Sequence, residues 1–307
     1  MIRSALIVAT LALASPVFAH EAEPCQRELA VLGAGQDAGA PQVGYFDDNG
    51  PRLLPSSLGL VDRQEGERYL FDATPAITEQ YALLHEIDPS IIGIKGIFLT
   101  HAHIGHYLGL AWLGREADNT KGAPVYAMPR MVEFLRKNGP WSQLVELGNI
   151  ELRELSDKEI QPINGNLGIW TIQVPHRDEY SETVGFIIMT VGKRALYMPD
   201  LDSWEELAEY GDIDLLTLMN AVDYAFVDAT FWDDNELPDR DMSEIPHPRV
   251  TETMDSLQDL PPEERAKVHF IHYNHTNPIR DPASPESAEV EQRGFNVARR
   301  GMRFCLD

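Results

Sequence analysis

Cysteine is scarce in this chain of 307 residues, which contains only Cys25 and Cys305, near its two ends. Neither cysteine lies near the histidine-rich segments, so a catalytic thiol is not expected. Two states remain open for the pair. They can form one disulfide, since chain termini often lie close together, or they can be two separate buried thiols.

Basic residues are also few. The chain has 25 lysines and arginines against 49 acidic residues, and its formal net charge is −24. Such a protein repels phosphate backbones at long range. Nucleic acid is therefore not expected as a partner, and a small-molecule substrate is favoured. The sequence leaves the oligomeric state open.

Several familiar signatures are missing. After residue 19 no apolar run reaches the roughly 20 residues that span a bilayer. The Gly-x-Ser-x-Gly motif does not occur, so a serine nucleophile need not be invoked. The glycines after the first predicted strand do not match the dinucleotide-binding fingerprint.

The first nineteen residues differ from the rest. Arg3 precedes a short apolar stretch over residues 5–14. The segment Val17-Phe18-Ala19 then ends in a small residue, as signal-peptide cleavage sites do. This pattern is typical of a secretory signal cleaved after Ala19. We therefore expect a periplasmic or secreted protein, with residues 20–307 forming a single domain.

Apolar and turn patterns predict strands that alternate with helices, which indicates an α/β layered domain. Strands are predicted at 28–32, 68–72, 94–100, 124–127, 150–154, 167–174, 183–190, 194–199, 223–228, 267–271 and 302–305. Helices are predicted at 75–87, 105–115, 128–138, 203–210, 215–221, 250–257 and 285–292.

The richest segment is His101-Ala-His103-Ile-Gly-His106, placed where a strand is predicted to meet a helix. Imidazole is a favoured ligand of zinc and similar metals. The two-residue spacing puts His101 and His103 on one side of an extended segment, and His106 can approach from another direction. The sequence therefore predicts a metal site here.

Further metal-ligating residues follow later strands. His176, Asp200 and His272 each end a β-type run, and His275 lies three residues after His272. Together with the histidine block, their order resembles the metallo-β-lactamase family of binuclear metal hydrolases. The resemblance covers nearly all of the chain after residue 27 and implies a four-layer αββα sandwich.

The resemblance also implies the ligands of two metal ions. One ion is held by His101, His103 and His176. The second is held by His106, Asp200 and His272, with Asp200 bridging. Asp200 is thus expected to be catalytic, and His275 is kept as a catalytic, substrate-facing residue or as a compensating ligand.

One position departs from the family pattern His-x-His-x-Asp-His, since Gly105 replaces the aspartate that usually binds the second metal. We therefore expect zinc as one tight ion and one weaker ion, with iron or manganese as alternatives.

A narrower resemblance is to the subgroup around pyrroloquinoline quinone biosynthesis protein B. It rests on residues 31–42, on Asp228-Ala-Thr-Phe-Trp232 and on His275-Thr-Asn-Pro278. Members of that subgroup often carry cysteines after the Pro-Gln pair for a structural zinc. Here Val43-Gly-Tyr-Phe follows instead, so that zinc is not expected.

Three functions fit these residues. The first is an exported metal-dependent hydrolase of a small ester, lactone, amide or phosphodiester, because zinc supplies hydroxide at neutral pH. The second is a metal-dependent oxygenase or oxidase, suggested by the quinone-biosynthesis resemblance. The third is a non-catalytic accessory protein, which Gly105 favours.

Four other residues were weighed. Asp37 is interpreted as a turn residue or as a partner of a ligand histidine, and Asp228 as such a partner. Glu179 is interpreted as an exposed hairpin residue. His247 lies between two prolines in the long loop over residues 231–248 and is interpreted as structural; the loop itself is either a substrate lid or a surface excursion.

Overall fold

The computed structural model describes residues 24–45, 47–211 and 213–307. The predicted signal, residues 1–19, lies outside these ranges. The strands are β1 (Arg27–Gly33), β2 (Ser57–Asp62), β3 (Glu67–Phe71), β4 (Gly96–Phe98), β5 (Ala123–Ala127), β6 (Ile150–Glu154), β7 (Ile160–Asn164), β8 (Leu167–Val174), β9 (Thr183–Thr190), β10 (Arg194–Met198), β11 (Tyr224–Asp228), β12 (Val268–Ile271), β13 (Asn296–Val297) and β14 (Arg303–Cys305).

The α-helices are α1 (Ile77–Ile87), α2 (Ile104–Tyr107), α3 (Pro129–Lys137), α4 (Trp141–Glu146), α5 (Trp204–Gly211), α6 (Leu215–Ala221), α7 (Val250–Ser256), α8 (Pro262–Arg265) and α9 (Pro285–Gln292). Short 3₁₀ helices cover Leu108–Leu113, Met242–Glu244 and Pro278–Arg280. Within the described residues, no helix is both long and apolar enough to cross a membrane.

The strands form two seven-stranded sheets. The first has the order β14-β1-β2-β3-β4-β5-β6 and the second the order β13-β12-β11-β10-β9-β8-β7. Both sheets are mixed, with β3 to β6 parallel in the first and β10 to β13 parallel in the second. Since the carboxyl ends of adjacent parallel strands share one sheet edge, residues that follow them converge.

The sheets pack face to face through an aromatic core. Phe71 and Phe98 of the first sheet contact Phe186 of the second, with ring centroids 6.1 and 6.0 Å apart. Apolar residues from α5, α6, α7 and α9 join this core from behind the second sheet. A separate buried cluster joins the outer face of the first sheet to α1, α3 and α4. These layers confirm the predicted αββα sandwich.

Three strands were not predicted. The first, β2, pairs with β1 and β3 in the middle of the first sheet and is buried along its whole length. A Cβ atom on its Gly59 would lie 2.7 Å from a methyl carbon of Leu84, so glycine there lets α1 pack closely. The other two, β7 and β13, lie at opposite edges of the second sheet; β7 contains Pro162, which weakens a strand signal.

Two helix predictions need correction. The helix predicted over 75–87 begins at Ile77, because residues 74–77 form a turn in which Ile77 N donates to Thr74 O and Ala76 N donates to the hydroxyl of Thr74. The helix predicted over 105–115 is one α-turn followed by a 3₁₀ helix. A Cβ atom on Gly109 would lie 2.1 Å from the carbonyl oxygen of Thr74, which shows how tightly this segment is pressed against the start of α1.

The chain ends are joined. A disulfide links Cys25 to Cys305, whose Cα atoms are 5.7 Å apart. The bond lies beside the antiparallel pair of β1 and β14. Of the two states that the sequence left open, the structure has the bridged one.

Candidate metal centre

The predicted ligands converge where the carboxyl edges of the two sheets meet. The first sheet contributes the segment after β4, with His101, His103 and His106. The second contributes His176 after β8, Asp200 after β10 and His272 after β12. Donor atoms of His101, His103, His176 and Asp200 lie within 4.8 Å of one another, and so do those of His106, Asp200 and His272.

Asp200 lies at the centre. Its Oδ2 is 3.4 Å from Nε2 of His101, 3.4 Å from Nε2 of His106 and 3.3 Å from Nε2 of His272. Its Oδ1 is 3.5 Å from Nε2 of His176. These separations are close to the roughly 3.3 Å between two donors on a tetrahedral zinc with bonds of 2.0–2.1 Å.

Several donor atoms have no other partner. Nε2 of His101, His106 and His272 and Oδ1 of Asp200 are buried without a hydrogen bond within the part of the chain that the structure describes. Buried polar atoms are normally satisfied. A shared metal ion accounts for atoms that face one another in this way, so the donor set fits the metal that the sequence predicted.

The opposite ring nitrogens are fixed by the protein. Nδ1 of His106 lies 2.8 Å from Asp72 Oδ2, and Nδ1 of His176 lies 2.9 Å from Asp202 Oδ1. His103 instead turns Nδ1 inward and places Nε2 3.0 Å from Glu179.

Threonines orient the other two rings. Thr100 Oγ1 lies 3.0 Å from Nδ1 of His101, and Thr230 Oγ1 lies 3.1 Å from Nδ1 of His272. Contacts of both kinds set the tautomer and direction of metal-binding imidazoles.

Asp72 was not predicted to take part. It is fully buried at the end of β3, with a φ of 65°. It accepts hydrogen bonds from the backbone N and hydroxyl of Thr100 and from the hydroxyl of Tyr197, besides contacting His106. An aspartate after a predicted strand was the available signal, but nothing in the sequence pairs it with His106.

His247 was interpreted as structural, yet its ring lies in the centre. Its Nδ1 is 2.8 Å from Asp228 Oδ2 and 3.4 Å from Asp200 Oδ1. Asp228 also accepts hydrogen bonds from the backbone N and hydroxyl of Thr230, whose Oγ1 lies 3.1 Å from Nδ1 of His272. Asp228 thus contacts His247 directly and reaches the predicted ligand His272 only through Thr230. No spacing in the sequence connects His247 with this edge of the sheets.

Two further interpretations change. Glu179 is exposed, as predicted, but it also contacts His103. His275 lies outside both donor groups; its Nδ1 is 2.7 Å from Asn274 Oδ1 and its ring packs edge-on against Tyr45 at 4.5 Å. His272, rather than His275, therefore shares a donor group with His106 and Asp200, while the substrate-facing role of His275 stays a prediction.

Burial and neighbouring charges strongly shift the pKa values of the side chains in this centre. Burial would raise the pKa of Asp200, but His272 and His176 outweigh it and hold that pKa well below its usual range. Burial would lower the pKa of His106, but Asp72 and Asp200 raise it to about 10. Burial lowers the pKa of His101 well below its usual value. Asp200 is therefore ionised, as a carboxylate ligand needs to be, whereas His106 carries a proton that a bound metal ion would have to displace.

A domain shared with known proteins covers this centre. Residues 67–273 match the beta-lactamase superfamily domain, and the chain belongs to that superfamily. It is 27% identical to coenzyme PQQ synthesis protein B of Methylococcus capsulatus and 29% identical to that of Methylobacillus flagellatus. Each comparison covers 91% of this chain and 99% of the relative.

Solved structures show the same fold. Zn(2+)-bound PqqB from Methylobacterium extorquens has a TM-score of 0.72 at 20% identity, covering 90% of this chain and 99% of that one. A diphosphatase from the PhnP family has a TM-score of 0.61 at 21% identity, covering 91% and 96%. The predicted family and subgroup resemblance are therefore confirmed.

Proposed function

We propose that this protein is an exported metal-dependent hydrolase of a small ester, lactone, amide or phosphodiester. The observation that carries the proposal is the set of buried, unpartnered donor atoms that surround Asp200. Zinc bound there would lower the pKa of a coordinated water and polarise a carbonyl or phosphoryl oxygen.

The ligands divide into two positions. The first position comprises His101, His103 and His176, and the second comprises His106 and His272. Asp200 reaches both. With three imidazoles at the first position and two at the second, we expect one tight and one weaker zinc ion. Iron or manganese are the alternatives for the same donors.

One further residue, His247, supplies a function that the ligands do not. Burial would lower the pKa of His247, but the charge and hydrogen bond of Asp228 raise it above its usual value. A protonated His247 beside Asp200 can donate a proton to a leaving group. Asp200 would reach both positions as a bridging carboxylate, and we expect it to be catalytic for that reason.

Export is supported by two observations. The first nineteen residues have the composition of a secretory signal, and the Cys25–Cys305 disulfide suits an oxidising compartment. Mass spectrometry of protein from the periplasm or medium should find His20 as the first residue. Full-length protein retained in the cytoplasm would contradict export.

The test of hydrolysis combines elemental analysis with a substrate panel. Purified protein should contain zinc and should turn over at least one ester, lactone, amide or phosphodiester. A chelator should abolish that turnover, and added zinc should restore it. Metal-free protein with no turnover after zinc addition would contradict the proposal and favour an accessory role.

A second function is favoured by the similarity to coenzyme PQQ synthesis protein B over 91% of the chain. An oxygenase or oxidase acting on a quinone precursor would use redox-active iron at the same donors. Iron in the purified protein, with oxygen consumed on addition of a quinol, would support this function over hydrolysis. Zinc content without oxygen uptake would exclude it.

A further inference from the structure

A small cavity apart from the metal centre is lined by arginines. Its volume is about 110 Å³, and its walls include Arg52, Arg280, Arg299 and Arg300. None of the described residues that line it is acidic, and none belongs to the donor groups around Asp200. The whole chain has a formal net charge of −24, so this concentration of positive charge runs against the composition of the protein.

The apolar part of the cavity wall is held by backbone hydrogen bonds. Leu53, Leu54, Tyr273 and Ala34 line it and are buried. Ala34 N donates to Leu54 O at 3.1 Å, and Tyr273 N donates to Ala34 O at 3.1 Å. Leu53 N donates to Ala40 O at 3.0 Å. The cavity is therefore formed by backbone segments that are fixed to one another before any ligand binds.

Arg299 is a partly buried cation without a carboxylate partner. Its Nη1 donates to the hydroxyl of Tyr273 at 3.3 Å and to Arg280 O at 3.2 Å, and its Nη2 donates to the hydroxyl of Ser287 at 3.1 Å. Its guanidinium carbon lies 5.6 Å from the centre of the Tyr273 ring. These partners are all neutral, and a charge removed from water is stabilised far better by an opposite charge.

Arg280 has a partner but is not fully satisfied. The residue is only 6% exposed, and its Nη1 lies 2.8 Å from Asp48 Oδ1. Its Nε donates to Pro51 O at 2.6 Å. Its Nη2 is buried without a hydrogen bond to any residue that the structure describes, which is uncommon for a charged donor.

Arg52 and Arg300 share a single carboxylate at the rim. Nη1 of Arg52 lies 2.8 Å from one oxygen of Glu79, and Nη1 of Arg300 lies 2.6 Å from the other. The two side chains are 63% and 50% exposed. Neither Nε nor Nη2 of either arginine donates to a residue in the described part of the chain, so both guanidiniums keep free donors.

The charges around the cavity do not balance. Four arginines line it, and only Asp48 and Glu79, among the described acidic residues, lie within 4 Å of their nitrogens, which leaves a net charge of 4 − 2 = +2. The guanidinium group matches the oxygens of carboxylates and phosphates, often with two parallel hydrogen bonds.

We propose that this arginine cavity binds a small dianionic oxyanion of the phosphate or dicarboxylate kind. Its volume of about 110 Å³ is below the roughly 300–1,000 Å³ of pockets for drug-sized molecules, so the ligand is an oxyanion with at most a short carbon chain. The site shares no residue with the metal centre, and its failure would leave the proposed function standing.

The test measures anion binding by the zinc-loaded mature protein. Orthophosphate and succinate are titrated separately by calorimetry at low salt and mildly alkaline pH, where both are mostly dianions. The double variant Arg52→Gln/Arg300→Gln is compared with Arg136→Gln/Arg153→Gln. The control arginines are 53% and 45% exposed and each lies near one glutamate, so the two double variants lose equal charge.

The unaltered protein should bind at least one of the two anions, and the tighter one names the kind of ligand. Arg52→Gln/Arg300→Gln should weaken that binding by at least about tenfold, whereas the control double variant should match the unaltered protein. A crystal structure with the anion should show its oxygens about 2.7–2.9 Å from a nitrogen of Arg299 and from one of Arg52 or Arg300.

A change of opposite sign sharpens the test. Glu79→Gln removes the carboxylate that competes for Arg52 and Arg300, so it should tighten anion binding by about threefold. Glu154→Gln makes the same charge change beside Arg136 and should leave the binding unchanged. Equal tightening by both variants would show that net charge alone governs the binding, which would overturn the site.

Two further results would overturn it. An anion held at the metal centre would survive the loss of Arg52 and Arg300, so equal binding by that double variant and the unaltered protein would place the anion outside the arginine cavity. No heat from either anion with the unaltered protein at millimolar concentrations would show that the cavity does not bind oxyanions.

Discussion

The two proposed metal positions around Asp200 differ in how the protein holds their ligands. At the first position, His103 is partly exposed and is oriented by Glu179, whose side chain is 49% exposed. At the second, His106 is oriented by Asp72, and the two side chains are 1% and 0% exposed. Exposed charged pairs contribute only about 0–1 kcal/mol, whereas a fully buried network fixes geometry tightly.

The position with more imidazole ligands is therefore not the one whose ligands are held most rigidly. The first position has more imidazoles but one loosely supported ring. The second position has fewer imidazoles, but the residues that orient them are buried away from solvent. The variants below separate these two contributions, beginning with the largest expected effect.

Loss of a ligand at the first position should be most severe. His103→Ala should abolish turnover and reduce zinc content, since it removes one of three imidazoles. Glu179→Gln should lower turnover by no more than about threefold, because the contact it weakens is exposed. Elemental analysis and rates on the same substrate check both. If Glu179→Gln proves as damaging as His103→Ala, the first position is not the loosely supported one.

Loss of a ligand at the second position should be selective. His272→Ala should remove the weaker ion and lower turnover strongly, while His275→Ala should leave the zinc content unchanged. The reason is that only His272 places its Nε2 near Asp200, at 3.3 Å. Zinc counted after mild dialysis distinguishes them. A second ion retained by His272→Ala but lost by His275→Ala would reverse the assignment.

Loss of a supporting carboxylate should be milder. Asp72→Asn should weaken the second ion by about 10- to 100-fold, the usual cost of removing an outer partner of a metal-bound histidine. Asp202→Asn, which alters the partner of His176, should instead weaken the first ion. Competition titrations resolve the two steps. Equal effects on both ions from either variant would show that the two positions are not separately supported.

Proton donation can be tested without changing the ligands. His247→Gln should keep the zinc content and lower turnover by about 10²- to 10⁴-fold, the range that general acid catalysis contributes. The loss should be smaller with substrates whose leaving group needs no proton. Unchanged turnover would restore the structural interpretation of His247.

The smallest effect concerns the loop that carries His247. Burial raises the pKa of Glu236 to about 7, even though Trp232 N and the hydroxyl of Thr276 donate to it. Because the folded-state pKa lies above the unfolded value, the protonated form is favoured by folding. The contribution of protonated Glu236 to the free energy of unfolding is fully present below about pH 4 and is lost as pH rises toward 7.

Glu236→Gln should therefore raise stability at pH 8 by on the order of 1 kcal/mol relative to the unaltered protein, with little change at pH 4. Urea unfolding at the two pH values measures it. A variant equally stabilised at both would show that Glu236 does not titrate on folding.

The resemblance to the metallo-β-lactamase family implied the sandwich and the members of the two donor groups. The residues themselves indicated only a metal site at the histidine block, with further ligand types at the ends of later strands. The sequence did not predict Asp72, Asp202 or His247. Their contacts depend on how one sheet packs over the other, which no local spacing encodes.

The disulfide described above turns the folded polypeptide into a closed ring. Cys25 and Cys305 enclose nearly every residue, being separated by 280 positions. A protease that cuts one surface loop therefore leaves both fragments attached, and the nicked protein migrates as one species until a reductant is added. The disulfide thus keeps the two sheets together after a cleavage that would let an open chain come apart.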